Sequence, residues 1–285
     1  MGAWRKLGVI AGGGDLPVAL AEHCAEHNAA YFVARIAPYA DERLNAHPGA
    51  THDLGAMGAR MNALRDAGCD AVVLIGQVLR QDPRGLKLDE GGMAMVPDIL
   101  AAAPQGDDAL LRVLVTHHER AGFRVIGVEE AMSDLLATPG VWGACAPNDA
   151  HRKDIAKAAR LAAAIGAYDV GQGVVVCDGL PLAVEAQEGT DAMLARVAAL
   201  PEAVRGTAHA RRGVLVKRPK PIQERRIDLP TIGVRTIDAA AAAGLAGVAV
   251  EAGGALAVRR KELIAAADAA GLFVYGFTPA EVGEP

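Results

Sequence analysis

The sequence predicts an α/β protein of two domains, an N-terminal Rossmann-like parallel sheet and a C-terminal mixed α/β domain. Three observations carry that expectation. Short, continuously apolar runs alternate with helical periodicity through the first half, the pattern of a parallel sheet covered on both faces. A turn-rich stretch around residues 136–148 interrupts this alternation. Beyond it the chain changes character and begins with two strands joined by a tight Asp-Gly turn.

Taken in order, residues 7–11 form an apolar run that reads as a buried strand. The turn Gly12-Gly13-Gly14-Asp15-Leu16-Pro17 follows, and then a helix over 18–27. Residues 31–35 give a second strand, 57–67 a helix stopped by Gly68, and 71–75 a third strand closed by Gly76. A helix over 107–121 ends at Gly122, and 124–128 reads as a fourth strand. Right-handed crossovers follow by default. The first domain is expected over 1–135, a linker over 136–148, and the second domain over 149–285. That domain opens with an amphipathic helix over 149–165. Strands are expected over 173–185, turning at Asp178-Gly179, and over 213–217 and 247–251; helices are expected over 190–199, 237–243 and 260–270.

The chain has 285 residues, 52% of them hydrophobic and 22% charged, a globular balance. Its formal net charge is −5 and it has no polybasic tail, which argues against a nucleic-acid partner. Lys and Arg do gather locally between Arg205 and Arg226, which points to a local anionic ligand. Cys24, Cys69, Cys145 and Cys177 have no metal-ligand spacing and read as free thiols in a reducing compartment. An early glycine-rich turn breaks the N-terminal apolar run, so no signal peptide is expected. Without a long uncharged apolar stretch, a soluble cytoplasmic protein is expected.

Gly12, Gly13, Gly14, Asp15 and Leu16 lie between a strand and a helix, where backbone N–H groups can cradle a phosphate. The spacing is neither a Walker A motif nor a dinucleotide fingerprint, since Pro17 stands where a third glycine belongs. A structural turn and a phosphate contact both stay open. Asp107 and Asp108 follow Gly106 at a helix start, where they read either as N-terminal caps or as site residues facing a cleft between the domains.

Glu185, Glu188 and Asp191 gather at a strand-to-helix junction, with Thr190 able to cap the helix. Capping does not explain the crowding of Glu185 with Glu188, since like charges repel unless a cation lies between them. A Mg²⁺ or phosphate site does explain it. Downstream, a strand enters a proline-studded loop that carries Lys217, Lys220, Gln223, Arg226 and one acid before Leu-Pro, Asp228. Cations that neutralise developing charge, a positioned water and a carboxylate are what pyrophosphate hydrolysis needs.

These segments together resemble the LpxI family. The resemblance is carried by Gly12-x-Gly14-x-Leu16-Pro17, Gly106-Asp107-Asp108, Asp169-Val170-Gly171-Gln172, Val184-Glu185-Ala186-x-Glu188-Gly189-Thr190-Asp191, Gly213-Val214-Leu215-Val216-Lys217 and Lys220-Pro221-x-Gln223-x-x-Arg226-x-Asp228-Leu229-Pro230-x-Ile232-Gly233. It spans nearly the whole chain, and its last three motifs are the most specific. Glu224 departs from the family pattern, which usually has Asp there.

The resemblance implies a UDP-2,3-diacylglucosamine pyrophosphatase of lipid A biosynthesis that is Mg²⁺-dependent and directs water to the β-phosphate. UMP and 2,3-diacylglucosamine 1-phosphate (lipid X) are the expected products, and Asp228 matches the family's essential acid. On this reading Asp228 binds Mg²⁺ or orients the water, and Glu185, Glu188 and Asp191 complete or flank the metal site. Lys217, Lys220, Gln223 and Arg226 hold the phosphates. The turn from Gly12 to Leu16, with Asp107, Asp108, Gln172 and Thr190, contacts substrate. Peripheral contact with the cytoplasmic face of the inner membrane is expected, and a homodimer is carried as an open alternative. Two rivals stand beside this. A nicotinamide-dependent oxidoreductase needs an acid closing the second strand, where Ile36-Ala37-Pro38 stands instead. A non-catalytic nucleotide-sugar or lipid binder would keep the basic loop without needing Asp228.

Overall fold

The computed structural model describes residues 4–79, 81–82 and 85–283. Two compact units divide the chain, the first running to Ser133 and including Glu224–Asp228, the second made of Asp134–Gln223 and the chain from Leu229 onward.

The first unit contains β1 (Leu7–Ala11), α1 (Asp15–Glu26), β2 (Tyr31–Ala37), β3 (Gly49–Asp53), α2 (Met57–Asp66), β4 (Ala71–Ile75), α3 (Glu90–Ala102), α4 (Asp107–Arg120), β5 (Arg124–Val125) and the short α5 (Val128–Ala131). Its sheet is wholly parallel in the order β3-β2-β1-β4-β5. All five residues of the central β1 are buried, which is why it reads as an unbroken apolar run. This order reverses direction between β1 and β4, and doubly wound sheets bind ligands outside the carboxyl ends of strands at such a switch. The fourth expected strand shortens to β5, because the chain from Val128 turns into α5.

The second unit contains β6 (Gly140–Trp142), α6 (Asp149–Gly166), β7 (Gly173–Cys177), β8 (Leu180–Val184), α7 (Gly189–Ala198), β9 (Val214–Lys217), β10 (Thr231–Ile232), α8 (Val234–Ala242), β11 (Gly247–Glu251), β12 (Leu256–Ala257), α9 (Arg260–Ala270) and β13 (Phe273–Phe277). A six-stranded sheet runs β6-β13-β11-β9-β7-β8, parallel across β13, β11 and β9 and antiparallel at β6, β7 and β8. β10 and β12 pair separately. Along β9 the side chains alternate between two cores: Leu215 packs with Met193, Ile237 and Leu263, whereas Val214 and Val216 pack with Ile155, Ala158 and Ala162 of α6. Alanine on α6 lets the helix lie close to the strands. The β7–β8 turn is tight, with Asp178 (φ 49) and Gly179 (φ 78) both left-handed. Buried Asp154 accepts from both of their N–H groups, at 2.9 and 2.7 Å.

Candidate active site

Strand β9 ends at Lys217, and three cations follow within four residues: Lys217, Arg218 and Lys220. All three side chains are at most a tenth exposed. A buried charge is tolerated only when it is paired, and each has its own carboxylate. Lys220 Nζ lies 2.5 Å from Asp169 Oδ1, the Arg218 guanidinium 2.8 Å from Glu251, and Lys217 Nζ 4.0 Å from Glu185 Oε1. Thr190 sits within the last pair, accepting from Lys217 at 2.7 Å and donating to Glu185 at 2.5 Å.

The segment Asp169–Gly173 supports this row. Gln172 accepts the Arg218 backbone N–H through its carbonyl at 3.1 Å, and the Gln223 amide through its side chain at 3.3 Å. Gln223 in turn accepts the Lys220 N–H at 2.8 Å. A β-carbon at Gly171 would stand 2.0 Å from the Glu185 carbonyl oxygen, so only glycine allows that approach. The structure therefore brings together Lys217, Thr190 and Glu185 as one set and Lys220, Gln223 and Gln172 as another. Charge-assisted donors of this kind suit phosphate oxygens.

Glu188 and Asp191 are held elsewhere. Glu188 pairs with Arg196, and Asp191 lies 2.5 Å from Arg235. One Glu185 oxygen is engaged by Thr190, while Oε2 is buried with no hydrogen-bond partner. The described residues hold no group of three or more His, Cys, Asp or Glu placed to bind a metal ion. Of the acids read as Mg²⁺ ligands, Glu185, Glu188 and Asp191 each lie beside a protein cation.

In the first unit, the N–H groups of Gly12 and Gly13 donate to Ile75 and Gln77 at 2.9 and 2.8 Å. They are committed to the sheet edge, so what the turn offers a ligand begins at Gly14. Asp15 pairs with Arg43 at 2.7 Å, and Leu16 is half-buried. Asp107 is half-buried, and α4 has no side-chain cap. Buried Asp108 instead accepts the Glu224 backbone N–H at 2.5 Å and Arg112 Nε at 2.7 Å. Glu224 forms a two-point pair with Arg226, at 2.9 and 2.8 Å, and this holds the Glu224 carboxyl below the usual range. Arg226 also reaches Glu119 at 2.7 Å. Asp228 is half-buried and closes a turn, its N–H donating to the Glu224 carbonyl at 3.2 Å. Ile227 packs against the first unit's core.

Asp169, Arg218, Glu251 and Glu119 carry this network without a role read from the sequence. Asp169 lies within a quoted motif, but its partner is 51 residues away, and no local spacing encodes that pairing.

A doubly wound parallel unit and a mixed α/β unit with a buried, paired row of Lys and Arg place the chain among two-domain α/β proteins with a cationic site. Sequence comparison narrows this to one family. The LpxI N-terminal domain model matches residues 6–135 and the LpxI C-terminal domain model residues 138–275, so the chain belongs to the LpxI family. The UDP-2,3-diacylglucosamine pyrophosphatase LpxI of Caulobacter vibrioides is 53% identical over 277 residues, covering 97% of this chain and 99% of that protein. Among solved structures, the precorrin-6A reductase CobK aligns over 96% of this chain and 88% of its own, with 14% identity and a TM-score of 0.34. A likeness that low carries no argument.

Proposed function

We propose that this protein hydrolyses the pyrophosphate of UDP-2,3-diacylglucosamine, releasing UMP and 2,3-diacylglucosamine 1-phosphate, with water attacking the β-phosphate. The observation that carries this reading is the end-to-end match, at 53% identity, to a pyrophosphatase of that name. The side chains support it chemically. Lys217 and Lys220, kept charged-paired and dry, supply fixed donors where negative charge develops, and such preorganised donors act most strongly away from water. Gln223 holds the Lys220 backbone in place. Arg226, held by Glu224 and Glu119, adds positive charge, and Asp228 orients the attacking water or takes its proton. Gly14, Asp15 and Leu16, at the start of α1, contact the nucleotide.

A Mg²⁺ ion held by the substrate's diphosphate would supply charge neutralisation there, since such an ion retains waters and needs few protein oxygens. A diacyl product places the enzyme at the cytoplasmic face of the inner membrane. No described helix is long and apolar enough to cross a membrane, and the proposed contact is peripheral. Hydrolysis in ¹⁸O-water tests the reading: the label is expected in the sugar 1-phosphate. Label in UMP would overturn attack at the β-phosphate, and absence of both products would overturn the reaction itself.

A further inference from the structure

Thr190 stands between the two charges of a buried ion pair. Lys217 Nζ and Glu185 Oε1 are 4.0 Å apart, too far for a hydrogen bond, and the hydroxyl fills the gap with contacts of 2.7 and 2.5 Å. An ammonium offers donors and no acceptor, so the Thr190 proton points at Glu185 and its lone pair at Lys217. Both ends of the hydroxyl are thereby fixed.

The three residues come from well-held positions. Lys217 is the last residue of β9, laddered to β7 on one side and β11 on the other. Thr190 lies in the first turn of α7, and the Glu185 N–H donates to Gly173 O at 2.9 Å. Glu185 Oε2 is buried and has no hydrogen-bond partner among the described residues.

We infer that Thr190 is a positioning residue that turns the charge of Glu185 into a fixed direction for the Lys217 ammonium. One N–H of Lys217 is spent on Thr190, and the others are left to a phosphate oxygen. Glu185 serves the lysine and not a metal ion. This inference rests on the pyrophosphatase reading, in which Lys217 holds a phosphate.

The test compares Thr190→Val, which keeps the side-chain shape and removes the hydroxyl, with Thr190→Ser and Glu185→Gln. On UDP-2,3-diacylglucosamine, Thr190→Val is expected to lower kcat about 10- to 100-fold, as loss of an orienting partner does, with KM changed less than about 3-fold. Thr190→Ser should return kcat to within about 3-fold of wild type, because the hydroxyl rather than the methyl carries the effect. In Glu185→Gln the Mg²⁺ concentration for half-maximal rate should stay within about 2-fold.

A second readout needs no turnover. In ¹⁵N-lysine-labelled protein, a slowly exchanging Lys217 ammonium resonance is expected in wild type and Thr190→Ser and is lost in Thr190→Val. An unchanged kcat and ammonium signal in Thr190→Val would overturn the inference, as would a serine variant as impaired as the valine one. A Mg²⁺ requirement raised about tenfold or more in Glu185→Gln would make Glu185 a metal-site residue instead. If wild type releases no UMP while the resonance still depends on the hydroxyl, the pyrophosphatase reading fails and the positioning contact stands.

Discussion

His118 and Arg60 are both buried in the first unit, and the chemistry of His118 sets a pH dependence. His118 is 1% exposed, donates from Nδ1 to the Leu114 carbonyl at 2.7 Å, and leaves Nε2 without a hydrogen-bond partner among the described residues. Burial pushes it down to about 4, with the nearby Arg60 and His117 adding to the effect. Arg60 is itself lowered to about 10 by burial, its contacts being the carbonyls of Asp53 and Leu54 and the Met57 sulfur. His118 therefore stays neutral in the fold, while the unfolded chain takes up a proton below about 6.5. Stability contributed by the neutral ring is present above that value and is lost as pH falls from about 6.5 to about 4, amounting to about 3 kcal/mol. Denaturant unfolding at a series of pH values should show this slope, and His118→Phe should flatten it. At Asp169 the expectation concerns charge. Asp169→Ala strands the Lys220 ammonium and should cost about 3–5 kcal/mol, whereas Asp169→Asn, which retains an acceptor, should cost less; denaturant midpoints decide. Asp169 and Lys220 lie in the quoted motifs, but no local spacing encodes their pairing. Asp108 was read as a cap or a site acid, and its partner, the Glu224 N–H, is 116 residues distant.

Among the secondary-structure elements, legibility followed local signal. β1, β4, β7 and β11 have apolar runs, and their observed bounds match the expected ones closely. β3, with the sequence Gly-Ala-Thr-His-Asp, is a polar edge strand that carries no apolar pattern. α3 contains Gly91, Gly92 and Pro97, residues that break helices when read locally, and tertiary packing overrides them. β6 lies in the stretch expected to be a linker and exists because it pairs with β13. β10 and β12 are two residues each and owe their assignment to each other. β13 did hold a readable signal, an apolar and aromatic run after Gly271, and is the recoverable omission. One substitution tests the support beneath the cationic row. Gly171→Ala places a β-carbon against the Glu185 carbonyl oxygen, and should cost about 1–3 kcal/mol in stability. The same variant should lose activity beyond what its folded fraction explains, since Glu185 and Lys217 shift together. Activity normalised to folded protein by circular dichroism checks this.

For the whole molecule, the notable feature is that Glu224–Asp228 belongs to the first unit although its neighbours in sequence belong to the second. Ile227 packs against the first unit's core and the Glu224 N–H donates to Asp108, so the first unit is not complete at Ser133. A fragment ending there should be less stable than the same residues in the full chain, with faster amide exchange in α4 around Asp108. Exchange protection equal in the two would contradict the dependence. The placement also gives Asp228 a fixed backbone, since it closes the turn that Ile227 anchors.

Under the proposed function, this chain cleaves UDP-2,3-diacylglucosamine and needs Asp228 to do so. The most direct measurement is UMP release by the purified protein, with Mg²⁺ and with EDTA, beside Asp228→Ala confirmed as folded. Metal-dependent release by wild type and a loss of about 10²-fold or more in the variant are expected. No release by wild type with any divalent ion, or full activity in Asp228→Ala, would contradict it.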